Sequence, residues 1–236
     1  MRRVNPRIST RALHWSDPPE DCSLPMNEVH VWAADLDEIS LSREFATLLS
    51  RDEAERAARF HFERDRGNFI AARGLLRTIL ARYTGISAAT LQFNYSANGK
   101  PSLASAAQFG NLNFNLSHSD GMAVYAFARE RDVGIDLESL RPFSDMEQIA
   151  ARCFSSEEQT DLRSLEKPAQ EEKFFRYWTR KEAILKCGGQ GFSDPSVEMN
   201  DVPFDGTIRE INPANGFIAT LAVRGKPFTL KTWAVR

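Results

Sequence analysis

Cysteine and histidine are scarce in this chain. Cys22, Cys153 and Cys187 are far apart, so the chain has no disulfide framework and no cysteine pair at zinc-ligand spacing. His14, His30, His61 and His118 are equally scattered, and a reduced, cytoplasmic setting is the expectation. No apolar run approaches the roughly 20 residues that span a bilayer; the longest, Met122–Ala128, has the length of a strand. The start of the chain has no apolar core of a secretion signal, and no membrane partner is expected. Nor is there a surplus of positive charge: 30 Lys and Arg face 32 Asp and Glu, a net charge of -2. A nonspecific nucleic-acid binder draws its affinity from a basic excess, so no nucleic-acid partner is expected. GxxxxGK[ST], GxGxxG and a nucleophile elbow are also missing, which removes the kinase, dehydrogenase and α/β-hydrolase readings.

With 236 residues, 42% hydrophobic and 26% charged, the chain has the composition of a folded protein with one large domain or two small ones. Residues Met1–Asn27 carry Pro6, Pro18, Pro19 and Pro25, and Arg2, Arg3, Arg7 and Arg11 without an acid among the first sixteen residues. That stretch reads as a flexible extension, with only a slight likeness to a transit peptide. The fold is expected to begin with a strand at Val29–Ala33. Ser50 with Glu53 is a capping box that opens a helix running to about Phe60. A longer helix is expected over Asp65–Tyr83, closed by Gly85. Strands follow at Leu91–Tyr95, before an Asn98-Gly99 turn, at Leu112–Leu116, at Met122–Ala128 after a turn over Ser117–Gly121, and at Val133–Glu138. Ser155 with Glu158 is a second capping box, for a helix to about Leu165. Pro168 interrupts it, and Ala169–Lys186 forms the next helix. Further strands are expected around Val197 and Ile208 and over Phe217–Val223 and Phe228–Val235. Helices grouped between runs of strands indicate the α+β class.

The strand Val133–Glu138 alternates, with Val133, Ile135 and Leu137 on one face and Gly134, Asp136 and Glu138 on the other. Its two carboxylates lie roughly 7 Å apart by strand rise. A hard cation such as Mg²⁺ would relieve their repulsion; a solvated acidic edge is the alternative. On the last long helix Phe175, Trp178 and Leu185 mark an apolar stripe that Glu182 interrupts, with Lys186 four residues on as its i, i+4 partner. Arg73 breaks the apolar stripe of the earlier helix and wants a carboxylate or a phosphate, unless it snorkels at the margin. Ser117 and His118 could meet a phosphate at the end of their strand, or serve a turn. Lys100 follows a tight turn, where a solvated lysine is the alternative. Acids on a strand, a Glu/Lys pair on a helix and scattered cations are the inventory of Mg²⁺-dependent phosphoryl chemistry.

Four stretches in order resemble the motif series of the surfactin-synthetase-activating (Sfp-type) 4′-phosphopantetheinyl transferases. They are Asn98-Gly99-Lys100-Pro101, Phe114-Asn115-Leu116-Ser117-His118-Ser119, Val133-Gly134-Ile135-Asp136-Leu137-Glu138, and Phe174 through Trp178 to Lys181-Glu182-Ala183-Ile184-Leu185-Lys186. The likeness extends from about Val29 to the C-terminus and leaves residues 1–27 outside. It implies two similar α+β halves in one chain, residues 28–131 and 132–236, meeting near Arg131. Such a chain is a monomeric pseudo-dimer with coenzyme A in the cleft and the metal site in the second half. It implies transfer of the 4′-phosphopantetheine arm of coenzyme A to a serine of an apo acyl, peptidyl or aryl carrier protein, releasing 3′,5′-ADP. The carrier partner is expected to be acidic and to dock around Cys153-Phe154-Ser155.

The resemblance also implies roles. Asp136, Glu138 and Glu182 would hold Mg²⁺. Glu182, or a water it orients, would deprotonate the serine, and Lys186 would meet the leaving 3′,5′-ADP. Lys100, Ser117 and His118 would bind coenzyme A phosphates, with Arg56 and Arg73 as further contacts. Two alternatives stay open: a catalytically silent coenzyme A or nucleotide-binding module, and a metal-dependent nuclease. Against the nuclease, Lys186 follows Glu182 by four residues on a helix, whereas nuclease lysines usually follow the acid by two on a strand.

Overall fold

The computed structural model describes residues 8–9, 15–19, 22–39, 44–189 and 204–235. Two four-stranded sheets lie face to face, with a long helix on the outside of each. In chain order the elements are β1 (Ile8–Ser9), β2 (Glu28–Asp35), α1 (Leu36–Ile39), α2 (Glu44–Leu48), α3 (Arg51–Ala57) and α4 (Glu63–Thr84). A short hairpin, β3 (Phe93–Tyr95) and β4 (Pro101–Leu103), precedes β5 (Leu112–Ser119), β6 (Met122–Arg129) and β7 (Val133–Ser139). Then come α5 (Met146–Cys153), α6 (Ser156–Arg163), α7 (Ala169–Cys187), β8 (Gly206–Ile211), β9 (Phe217–Arg224) and β10 (Thr229–Val235). The α+β class expected from the sequence is the class observed. Among the described residues no helix is long and apolar enough to cross a membrane.

One sheet has the order β10-β2-β6-β5, the other β1-β8-β9-β7. Alternation along the strands builds the core between them: Val29, Val31 and Ala33 of β2 and Val124, Ala126 and Ala128 of β6 face Val133, Ile135 and Leu137 of β7 and Leu221 of β9. The opposite face of the first sheet, with Trp32, Tyr125 and Phe127, packs on the apolar stripe of α4. In the second half α5, α6 and α7 bury Phe154, Phe174 and Phe175 together. Local signals place the helix ends. Glu158 Nα–H donates to Ser155 Oγ at 3.2 Å while Ser155 N–H donates to the Glu158 carboxylate at 2.9 Å. Gly85 closes α4 at φ 72°, where a side chain would be strained.

Several expectations are corrected. The extension 1–27 is not outside the fold over its described part. Cys22 and Leu24 are buried in the α4 core, and Ser16 exchanges backbone hydrogen bonds with Thr232 and Ala234 beside β10. Apolar anchors on a proline-rich segment were enough to dock it. The arginines at 2, 3, 7 and 11 and the expected strand near Val197 lie outside the described residues. The last strand lies in the second half's sequence block but crosses to the first sheet: β10 pairs parallel with β2, with Trp233 opposite Trp32. Helix α5 was not foreseen, since Asp145 makes no side-chain cap. The turn after β5 is Asp120-Gly121, with φ 44° and 82°, so Ser117 and His118 stand in the strand itself.

Candidate active site

β5 and β7 are edge strands of different sheets, and they lie side by side. Side chains take the place of a backbone ladder there, which keeps both edges satisfied. The period of two on β5 sends Asn115, Ser117 and Ser119 to the same side. Asn115 Oδ1 accepts Ile135 N–H at 2.8 Å, Ser117 Oγ donates to Asp136 Oδ1 at 3.0 Å, and Ser119 Oγ donates to Glu138 Oε2 at 3.1 Å. Both strand acids are thus held from the neighbouring half.

Helix α7 crosses the outer face of β7. Gly134 is what allows the approach: a Cβ there would fall 2.1 Å from the Ala183 carbonyl oxygen and 2.3 Å from the Cys187 nitrogen. The crossing brings Lys186 onto Asp136, Nζ to Oδ1 at 2.6 Å, with Ser117 Oγ at 3.2 Å. The expected i, i+4 ion pair with Glu182 is therefore not formed; the strand carboxylate offers the ammonium a more buried anion. Glu182 stands on the same helix face and lines the cavity. Burial drives its carboxyl up to about 7; Lys186 opposes this, while Asp136 and Glu138 add repulsion. Glu138 is raised as well, by burial and by Asp136, against hydrogen bonding from Ser119.

A cavity of about 490 Å³ opens over these groups, between the halves. Ser117, His118, Glu182 and Lys186 line it together with Arg56, Arg73, Tyr95 and Lys100. His118 is partly open to solvent, yet burial of its ring at the cavity, then the charges of Lys186 and Arg56, hold its imidazole below the ordinary value. The anion sought by Arg73 is a carboxylate: its Nε donates to Glu53 Oε1 at 2.7 Å, and its Nη2 donates to the Tyr95 hydroxyl at 2.8 Å. The sequence reading missed Arg77, which shares that carboxylate through Nε at 2.7 Å and also donates to the carbonyls of Ala88 and Leu91. Its position four residues after Arg73 was the signal available. Lys100 is half-buried at the cavity wall and turned toward the other half. Its Nζ donates to the Lys186 carbonyl at 2.5 Å and to the Val133 carbonyl at 3.2 Å. The sequence reading also missed Asn115, Ser119 and Arg141, whose Nη2 lies 3.8 Å from Glu138 Oε2.

Among the described residues no three His, Cys, Asp or Glu side chains form a ready cluster for an ion. The chemistry of the site nevertheless fits a hard cation. Asp136 Oδ2 is buried without a hydrogen-bond partner, an unsatisfied acceptor beside two carboxyls whose ionisation the surroundings oppose.

Comparison with known proteins matches the two halves separately. Residues 31–130 match the family model described as "4'-phosphopantetheinyl transferase, N-terminal", and residues 132–224 match the "4'-phosphopantetheinyl transferase superfamily". The chain is 39% identical over 230 residues to the 4'-phosphopantetheinyl transferase HetI of Nostoc, covering 93% of this chain and 97% of that one. It is 30% identical to Sfp of Bacillus subtilis over 64% of this chain and 65% of the relative. It is 32% identical to the human L-aminoadipate-semialdehyde dehydrogenase-phosphopantetheinyl transferase over 65% and 52% respectively.

Proposed function

Because the chain belongs to the 4'-phosphopantetheinyl transferase superfamily and is a transferase, we propose that it moves the 4′-phosphopantetheine arm of coenzyme A to a serine of an apo carrier protein. The observation that carries this reading is one cavity lined by Glu182, Lys186, Ser117, His118, Arg56 and Arg73 together. The Arg56 guanidinium, the His118 imidazole and the Ser117 hydroxyl would face the phosphates of a bound coenzyme A, while Arg73, held by Glu53 and Tyr95, adds a positive charge to the same cavity. A carboxyl poised near neutrality faces the incoming hydroxyl.

The carrier serine oxygen forms a bond to the phosphorus on the pantetheine side of the pyrophosphate. The bridging P–O bond breaks, and its electron pair leaves with 3′,5′-ADP. Glu182, or a water it orients, takes the serine proton; in the metal-free protein burial raises this carboxyl to about 7, so it readily holds a proton there. Lys186 carries the ammonium nearest the strand acids and compensates the charge that grows on the leaving phosphate. Asp136, Glu138 and Glu182 would hold Mg²⁺, which supplies Lewis-acid polarisation of the pyrophosphate. Ser117 and Ser119 keep the two strand carboxylates in place across the junction between halves. The halves 28–131 and 132–236 would act as one monomeric pseudo-dimer, with the acidic carrier docking on the surface around Ser155, since Cys153 and Phe154 of the expected stretch are buried.

The test is direct. The chain, an apo carrier protein, coenzyme A and Mg²⁺ are incubated together, and the carrier is weighed by mass spectrometry. One phosphopantetheine mass on the serine, absent when the metal is chelated, is the expected result. An unmodified carrier across acyl, peptidyl and aryl types would overturn the assignment.

A further inference from the structure

We infer that Lys100 is a positioning residue for this transfer, acting through the backbone of helix α7 and strand β7 and not through a coenzyme A phosphate. The inference rests on the function proposed above. Lys100 closes the β3–β4 hairpin, whose turn is fixed by Gly99 at φ 75° and by Lys100 N–H donating to Ser96 Oγ at 3.1 Å. From that anchored base the ammonium reaches two carbonyls of the other half. One belongs to Lys186, in the last turn of α7, where Gly189 N–H donates to the same carbonyl at 3.3 Å and a cation also answers the helix dipole. The other belongs to Val133, three residues before Asp136.

The same hairpin touches α7 once more, through Asn98 Nδ2 donating to the Gly189 carbonyl at 3.4 Å. Gly134 already seats α7 on β7 with no room for a methyl group. Hairpin, helix and strand therefore converge at one point, and Lys100 bridges all three. Lys186 and Asp136, which meet at 2.6 Å, project from the two elements that Lys100 ties together. Two of its three N–H donors are spent on these carbonyls, and burial lowers its basicity. Misplacing a reacting group by about 1 Å can cost on the order of 10²-fold in rate, so a clamp behind Lys186 has a kinetic consequence.

The test compares wild type, Lys100→Met, Lys100→Arg, Lys186→Ala and the double variant Lys100→Met/Lys186→Ala. Transfer rates, coenzyme A binding by calorimetry and hydrogen exchange at the Gly188 and Gly189 amides are measured on each. Lys100→Met is expected to lower kcat about tenfold or more while the coenzyme A dissociation constant moves by less than about threefold. Lys100→Arg should recover part of the rate, and the end of α7 should exchange faster in Lys100→Met. Because Lys100 acts through Lys186, the double variant should be no slower than Lys186→Ala alone. A rise in the dissociation constant with kcat unchanged, additive losses in the double variant, or unchanged exchange would overturn the inference. Exchange and binding are read without any carrier, so a chain inactive on all carriers would refute the proposed function while still deciding the role of Lys100.

Discussion

The two halves build the same unit from different chemistry. In each, a strand presents three apolar residues to the shared core, Val29, Val31 and Ala33 in one and Val133, Ile135 and Leu137 in the other. In each, a long helix covers the strand's opposite face and ends one residue after a side chain that reaches the strand. In the first half that side chain is Tyr83, whose hydroxyl accepts Trp32 Nε1–H at 2.9 Å and lies 2.8 Å from His30 Nδ1. In the second it is Lys186, on Asp136. The helix-facing triplet His30, Trp32 and Ala34 thus occupies the places held by Gly134, Asp136 and Glu138. One unit is filled with rings and is fully packed. The other keeps carboxyls, a glycine on which the helix backbone rests, and an unpartnered Asp136 oxygen close to a cavity. Polar groups left in tension inside an otherwise consistent fold mark the place where function overrides packing.

The capping boxes repeat the contrast. Glu53 of the first box is 2% exposed and joins Arg73 and Arg77 of α4. Burial alone would raise its carboxyl, but the two guanidinium groups and the Ser50 backbone N–H bring it below the usual range. Glu158 of the second box pairs with Lys181 of α7 at 2.8 Å, in a more open setting.

The sharpest break of the comparison is Glu182→Gln. It should lower transfer by roughly 10²–10⁴-fold, as loss of a general base does, with the fold retained by circular dichroism. Next, Glu53→Ala should lower stability by about 3–5 kcal/mol in denaturant titrations, because it leaves two buried guanidiniums without their carboxylate. Glu158→Ala, which loses one lysine and a capping-box hydrogen bond at a carboxylate 20% exposed, should cost about 1–2 kcal/mol. Tyr83→Phe should cost about 1–3 kcal/mol by stranding the Trp32 indole N–H and the His30 imidazole, with transfer unchanged.

The smallest effects are slopes of stability against pH in metal-free protein. Glu182 is raised on folding, so the native state holds its proton longer than the unfolded chain does. Its contribution is greatest below about 4.5 and is lost as pH rises toward about 7. His30 is lowered, chiefly by burial, so the unfolded chain binds the extra proton and stability is lost as pH falls below 6.5. Glu182→Gln should remove only the first slope and His30→Asn only the second, as read from thermal melts across pH. A single shared slope would show that the halves do not titrate independently.

Much of this was legible locally. Ser50-Glu53, Ser155-Glu158 and Gly85 mark helix ends because their hydrogen bonds close within one turn. The alternation around Asp136 and the break at Glu182 showed which faces carry charge. The partners were not legible. Lys186 could as well have met Glu182 four residues away as Asp136 fifty residues away, and Lys100 gave no sign of leaving solvent. Asn115, Ser119 and Arg77 read as ordinary strand and helix residues until packing gave them something to hold.

The order of amino acids by itself determined where helices and strands form, which of their faces are apolar, and which acids and cations stand out from the pattern. Those are short-range matters of periodicity and capping. Only the tertiary structure decided that two edge strands meet through serines, that the last strand returns to the first sheet, and that a hairpin lysine ends on the backbone of the opposite half. Such pairings join residues about twenty to two hundred positions apart, and they are selected by burial and by the need of every buried polar group for a partner.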